Sequence, residues 1–470
     1  MFLKQKKYPY IGEALGTLNN GLDPLVPQWW AMDALLRMEE KVVLLGMVNR
    51  DYEAIFSKYG QVVNVHHEGG FTARRKFQGQ NIVRQDPTAT GDTVRLNQHL
   101  HVSFPVDDVD QQLTQPDILQ KYVPRAAEAM INGMEEIVVG EIYQFLAQSA
   151  GGVGLTAAQA DSRVLDLREF FQRENVKNAR RILSIGPATD KVLLDTPRFI
   201  EASQVGDVEG QDAIRRGLLG RLRGFSAYES SFTPEIGAGQ TTILGAIDNA
   251  AGYLPGDTVL TVDTFAGALT NGSWCLIEGD NLPRRITATA GDPATQITIS
   301  PALVRAVDDD AVVTVMEAGT VDHPDGGAGT YAFQWADVIG IDNFTDPPRI
   351  GQGVTFGNSA TAYMIMDVDT VAGTILLNRP LDDEIAHGAT VALIPYGNYN
   401  LAMIPDAITF VNRPLAPAKH SVSSGWAQAK GLSMRVTFAY DSEQMVTTVT
   451  FDTLCAVKTL NRNYGAVFVS

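Results

Sequence analysis

The chain has 470 residues, a formal net charge of −17 and two cysteines. Its length exceeds what one hydrophobic core serves and calls for roughly two to four structural units. The acidic balance argues against a general nucleic-acid binder held by phosphate neutralisation, while Cys275 and Cys455 are expected as buried thiols, not a disulfide framework.

Residues 1 to about 22 read as a polar arm, and the start Met-Phe-Leu-Lys-Gln-Lys-Lys lacks the apolar core of a secretory signal. No run approaches the roughly 18 apolar residues of a membrane span. The chain is therefore expected to be made and folded in a cytoplasm, where Asn271 and Asn343 carry no glycosylation meaning. Asp23-Pro24 and Pro27 open a helical pattern through Trp30, Leu35, Met38, Val42 and Leu45. Trp29 and Trp30 cannot share one helix face, so one of them packs either inside the subunit or against a neighbouring chain.

Gln61–Val65 reads as an outgoing strand. Val94, Leu96, Leu100, Val102 and Phe104 read as a returning one at period two, with Arg95, Asn97, His99, His101 and Ser103 on the other face. Between them lie Gly69-Gly70-Phe71-Thr72-Ala73-Arg74-Arg75-Lys76 and a polar segment with little to bury. A loop this long is uncommon in a compact domain, and an isolated two-stranded ribbon is marginal in water. Something outside its own domain is expected to stabilise it, which points to a subunit of an assembly. If the two strands pair, His66, His67 and Glu68 could meet His99 and His101 as a three-ligand metal set. A solvated or partner-facing polar face is the preferred reading, with no metal assigned. The basic tip Arg74-Arg75-Lys76 reads as meeting an acidic patch on an identical neighbour in preference to nucleic acid.

Thr114-Gln-Pro-Asp starts the longest helix candidate, with Ala126, Met130, Met134, Ile137, Ile142 and Phe145 on one face. From Arg125 to Gln148 it would span about 36 Å, and Gly151-Gly152-Val153-Gly154 would terminate it. That glycine cluster does not read as a phosphate loop, since no Lys-Ser/Thr follows. Residues 160–236 read as mixed α/β: a helix over Ser162–Asn178, a buried strand at Arg181–Ile185, a helix at Ala188–Asp195 and a strand from Ser226.

From about Ile236 to Tyr399 the helical periodicity vanishes and short β-branched runs alternate with turns. Thr261-Val262-Asp263-Thr264-Phe265 answers Gly340-Ile341-Asp342-Asn343-Phe344. Ile297, Ile299, Leu303, Val307, Ala311, Val313 and Val315 answer Ile375, Leu377, Leu381, Ile385, Ala389, Val391 and Leu393 at an offset of 79, then 78. Two similar β modules in tandem are predicted. Asp308-Asp309-Asp310 and the segment from Asp322 to Asp325 miss calcium-loop spacing and read as turns. Leu401–Ser470 returns to the pattern seen ahead of Ile236, with paired strands over 431–441 and 445–452, so the modules are inserted in a host domain that resumes. No Ser/His/Asp or Cys/His grouping stands in local order, and no cofactor is implied.

Several ordered segments carry a family resemblance: Arg50-Asp51-Tyr52-Glu53-Ala54-Ile55-Phe56, Gly60-Gln61-Val62-Val63, His101-Val102-Ser103-Phe104 with Asp107-Asp108, and the helix Ala126–Phe145. Gly224-Phe225 with Tyr228-Glu229-Ser230, Asn400-Leu401-Ala402-Met403, and Arg413-Pro414-Leu415 continue the series. Gly431-Leu432-Ser433-Met434-Arg435, Tyr440-Asp441 and Asp452-Thr453-Leu454 complete it. Together they resemble the major capsid proteins of tailed bacteriophages, which have the Hong Kong 97 fold, and among them the P-twenty-two-type coat protein branch. The resemblance implies an α+β fold: an N-terminal arm and helix (1–50), an extended-loop ribbon (51–105), a peripheral domain on a long spine helix (106–150) and an axial domain (151–236). Inserted β modules occupy 237–318 and 319–399, where that branch would carry one, and 400–470 returns to the axial and peripheral domains. It further implies a non-enzymatic coat protein, assembled in a bacterial cytoplasm into hexamers and pentamers of a virion shell around double-stranded DNA. Scaffolding, portal and decoration proteins would be its partners, with no membrane. Arg74, Arg75, Lys76, His99, His101 and Trp29 are the expected intersubunit contacts. An encapsulin-like cargo shell, or a β-rich adhesion or carbohydrate-binding protein, are the alternatives.

Overall fold

The computed structural model describes residues 44–50, 62–68, 73–79, 81–82, 84–86, 89–107, 117–174, 176, 180–196, 221–322, 331–332, 336–357, 359, 361–413, 415–416, 423–429, 432–443 and 445–470. The polar arm, Trp29, Trp30 and most of the first predicted helix lie outside these residues. Of that helix, Leu44–Gly46 forms a single 3₁₀ turn.

The long predicted helix is present with a different end. Helix α1 spans Asp117–Val139, beginning where Thr114-Gln-Pro-Asp predicts, and the chain then tightens into a 3₁₀ turn over Gly140–Phe145. Ala126, Ala127, Met130, Ile131, Met134, Ile137 and Val138 are buried, recurring every three or four residues as one packed face requires. Gly140 opens that turn, and a Cβ there would lie 2.4 Å from the Asn378 side chain, so the close approach calls for glycine. The glycine cluster at 151–154 does not end the helix as expected. Ser149–Gly151 is instead a short strand, parallel to Gly465–Val469.

Two sheets form the host unit. One has the order Ser149–Gly151, Gly465–Val469, Gly397–Met403, Ile182–Ile185, Phe225–Glu229, Arg221–Leu222, with Glu235–Ile236 paired beside Gly397–Met403. Helices α2 (Ala157–Arg173) and α3 (Pro187–Leu194) accompany it, and Val164, Leu167, Phe171 and Leu193 share a core with Leu183, Phe225 and Phe468. Asn400 ties this sheet together from inside: its Oδ1 accepts the Gly186 N–H at 2.8 Å while its Nδ2 donates to Phe468 O at 2.9 Å. The second sheet is centred on Val446–Thr459, which pairs with Ile408–Arg413, Leu432–Asp441 and Gln98–Asp107. Helix α1 packs here, Met130, Met134 and Ile137 sharing a core with Phe410, Val436 and Phe451.

The predicted returning strand is two strands with different partners. Ala89–Arg95 pairs with Val62–Glu68, whereas Gln98–Asp107 joins the second sheet. The period-two pattern runs through the break because Val94 and Leu96 are buried against Val411 and Ala456, and Gln98 is buried too. Gln98 pairs with Cys455 at the start of the new ladder, and its side chain donates Nε2 to the Asn378 carbonyl at 2.7 Å.

Two closed six-stranded antiparallel barrels separate the halves of the host. The first uses Thr242–Ile247, Val259–Asp263, Trp274–Ile277, Arg284–Ala290, Gln296–Ser300 and Val312–Met316. The second uses Ala318–Asp322, Val338–Asp342, Gly353–Phe356, Ala362–Asp369, Thr374–Leu377 and Thr390–Leu393. Taken in chain order, the strands of both barrels neighbour one another in the same cyclic sequence. Each has a bulge at the same place, between Ile286 and Ala288 and between Ile365 and Asp367. Each also has a non-glycine residue at positive φ, Thr264 at 61° and Asn343 at 63°, just before a phenylalanine. That turn lays Phe265 over Gly245 and Phe344 over Gly319, where a Cβ would come within 2.5 Å and 2.3 Å of the ring.

Candidate functional site

The ribbon of Val62–Glu68 and Ala89–Arg95 has seven residues in each strand, a ladder about 24 Å long at 3.4 Å per residue. Val94 and Leu96 seat its base in the host. At its far end residues 73–79 are all exposed, and Arg74, Arg75 and Lys76 have no ion pair or hydrogen bond among the described residues. Phe77 and Ile82 stand 65% and 74% exposed beside them. Sequence reasoning picked out the three cations and missed these two apolar side chains, whose only signal was being apolar within a polar excursion.

The histidines fall on two different sheets. His66 faces Gly91 and His67 faces Thr90 across the ribbon, while His99 and His101 lie on the second sheet. His99 Nε2 lies 3.0 Å from Asp452 Oδ2. The Asp452 carboxylate, 5% exposed, is also gripped by Arg435 Nε at 2.9 Å and by its Nη2. His99 thus has a partner in its own chain. His101 is exposed, its ring centroid 6.4 Å from that of His99. Among the described residues no three His, Cys, Asp or Glu side chains converge on a metal-sized centre.

A buried ionic seam joins the second barrel to the host. Arg379 Nε contacts Glu141 Oε1 at 2.6 Å, off the hydrogen-bonding direction, and its Nη1 reaches Asp382 Oδ2 at 2.9 Å. Lys458 Nζ donates to the same Asp382 oxygen at 3.0 Å, and Thr459 Oγ1 donates to Glu141 Oε2 at 2.7 Å. Burial alone would lower the Arg379 pKa, but the Glu141 and Asp382 carboxylates outweigh it and raise the value. Burial likewise pushes the Asp382 carboxyl up, while Arg379 and Lys458 together hold it below the usual carboxylate range. The guanidinium also lies over the Tyr363 ring, 4.6 Å from its centroid. Beside this seam a polar cavity of about 400 Å³ is lined by Thr93, Arg95 and Asn97 from the ribbon base and by Arg379, Asp382 and Lys458. The first barrel is fastened at the glycine cluster: Val153 N donates to Asn281 O at 2.8 Å, and Arg305 donates to the Gly151 carbonyl.

Charge is unevenly shared. Residues 237–399 hold 20 of the 54 acidic side chains but 5 of the 37 basic ones, and no lysine, so 15 of the 17 excess negative charges sit there. All five arginines are turned to structural work. Arg284, fully buried, pairs with Asp280; Arg285 donates to Gly357 O, Arg305 to Asp280 O and Gly151 O, Arg349 to Gly237 O, and Arg379 joins the seam. None of the five is exposed, so the outer wall of the barrels is acidic without relief.

No family model matches the sequence, and no curated protein is similar to it. Among solved structures, the chain is similar to one described as Mycobacterium phage Che8, at 13% identity, covering 91% of each chain, with a TM-score of 0.46. It is also similar to the capsid of the cyanophage P-SCSP1u (10% identity, 87% of this chain and 84% of that one, TM-score 0.42). The capsid of Ralstonia phage GP4 is a third (8% identity, 90% and 86%, TM-score 0.41).

Proposed function

We propose that this chain is a major capsid protein: many copies self-assemble into the icosahedral head of a tailed bacteriophage, around double-stranded DNA and without enzymatic activity. The observation that carries the reading is the ribbon. It projects from a packed host, has no core of its own, and ends in cations without partners among the described residues, beside exposed Phe77 and Ile82. Such an element gains stability when a neighbouring subunit covers it. The order of elements agrees with the Hong Kong 97 arrangement that the sequence resembles. The segment before residue 51 is then the arm, the ribbon the extended loop, α1 the spine of the peripheral domain, and the sheet holding Ile182–Ile185 and Gly397–Met403 the axial domain. The two barrels are an insertion, because strands on either side of them share that sheet.

On this reading Arg74, Arg75 and Lys76 make intersubunit ion pairs, with Trp29 and the histidine face of Gln98–Asp107 as further contacts. Exposed pairs are individually weak, so their value lies in register and in repetition over many copies. An acidic container limits sticking to its DNA content. Scaffolding and portal proteins, and assembly in a host cytoplasm, belong to the same reading. Negative-stain microscopy of the purified chain over a range of concentration and ionic strength tests it. Closed shells or capsomer rings are expected; a persistent monomer under every condition refutes it.

A further inference from the structure

The duplicated barrels allow a comparison within one molecule. Around the end of strand Thr242–Ile247 the first barrel gathers Asp248, Asp263, Asp308, Asp309 and Asp310. Asp310 N donates to Ile247 O at 3.0 Å, Asp248 N to Thr261 O at 3.1 Å, and Asp263 pairs with Ala246. The matching turn of the second barrel makes the same backbone bond, Gly388 N to Val321 O at 2.9 Å, but carries Ala386-His387-Gly388. That turn therefore does not require carboxylates, whereas Asp248 and Asp263 have counterparts in Asp322 and Asp342 of the second barrel. Asp310 even occupies a positive φ of 59° where the sister turn uses glycine at 75°. Asp248, Asp263, Asp308 and Asp310 have no side-chain partner among the described residues. Beside them Leu244 and Val312 lie diagonally on adjacent strands, 54% and 42% exposed, where the second barrel has Ala318 and Thr390.

The first barrel thus ends in unrelieved negative charge next to an apolar pair. The ribbon tip is its complement: Arg74, Arg75 and Lys76 without partners, followed by exposed Phe77. Within one chain the two do not meet, since the three cations pair with no described residue. We propose that the ribbon tip of one copy docks on this acidic end of the first barrel of a second copy, its cations against the five carboxylates and Phe77 against Leu244 and Val312. The inference rests on the shell reading and names the partner surface that reading leaves open. Charge complementarity of this kind fixes register and suppresses wrong partners more than it adds affinity.

A charge swap in the full chain tests the pairing. R74E/R75E/K76E alone, and D248K/D263K/D308K alone, should each lower the yield of sedimenting particles by about tenfold or more, and their combination should restore it to within about threefold of the parent. The acidic positions chosen make no side-chain bonds among the described residues, so circular dichroism of all variants should match. A K76C/D308C variant should form inter-chain disulfides within particles, the two native thiols being buried. Parent particles with neither rescue nor inter-chain disulfide would overturn the pairing and leave the shell reading standing. A parent chain that forms no particles would overturn both. Tip reversal that leaves shell formation intact and alters DNA retention alone would assign the tip to nucleic acid, and so overturn the pairing.

Discussion

Removing Arg379 should loosen the second barrel from the host, and its neighbour Glu141 shows why. The two side chains are 6% and 1% exposed. Without the guanidinium, Glu141 remains buried with only the Thr459 hydroxyl donating to it. Breaking one partner of a buried pair typically costs about 3–5 kcal/mol, because the remaining charge is uncompensated. The Arg379→Met variant is expected in that range, and Glu141→Leu alone nearly as high. The double variant removes both charges and keeps apolar volume, so it should cost only about 1–2 kcal/mol, the residue being the lost contacts to Asp382 and Thr459. The coupling should then exceed about 2 kcal/mol. A chain of several units does not unfold in one step. The suitable readout is therefore local: hydrogen-exchange protection of the amides of strands Gly353–Phe356 and Thr374–Leu377. A loss below about 1 kcal/mol for Arg379→Met, or a double variant as costly as the two singles added, would refute an interdependent buried pair.

Asp190, in the first turn of α3, has its carboxyl pKa raised to about 6 by burial and secondarily by the nearby Glu229 charge. The native state then keeps this proton to higher pH than the unfolded chain, so stability falls as pH rises from 3.8 towards 6 and stays reduced above. After allowance for screening at a half-exposed site, Asp190→Asn should gain about 1 kcal/mol near pH 8 and nothing near pH 3. A gain independent of pH in denaturation curves would contradict the cause. Burial also pushes the thiols of Cys275 and Cys455 up to about 12. Neither should react with iodoacetamide at pH 8 until denaturant is added, and rapid labelling of either in the native chain would place it at the surface.

Much of the local structure was legible because periodicity is a local property. The face of α1 through Met130, Met134 and Ile137 follows from three- and four-residue spacing, and those side chains are buried. The repeat positions Ile297, Ile299, Leu303 and Val313 lie in the core of the first barrel, and Ile375, Leu377, Leu381 and Val391 in that of the second. The paired strands of the tail were readable for the same reason. The end of α1 was not, since the 3₁₀ turn begins at Gly140, whose close neighbour Asn378 is distant in the chain.

Partners, unlike faces, escape a period-two pattern. Val94, Leu96 and Gln98 alternate inward without interruption, yet the chain changes ladder between Leu96 and Gln98. The same alternation suits either partner, so only the strand that lies alongside in the folded chain, Val446–Thr459, distinguishes them. His99 reads as a face residue in sequence and becomes an Asp452 partner only when Val446–Thr459 lies beside it. The acidic excess of residues 237–399 could be counted from composition. That the five arginines there are all held by partners could not, because their acceptors, from Gly151 to Gly357, are brought to them by tertiary packing. Sequence alone determined a coreless ribbon with a basic tip, a long helix and a duplicated β region, each a matter of neighbouring residues. Only the tertiary structure decided which strand the ribbon's return joins, how the barrels are fastened, and where negative charge stands unopposed, because those depend on residues distant in the chain.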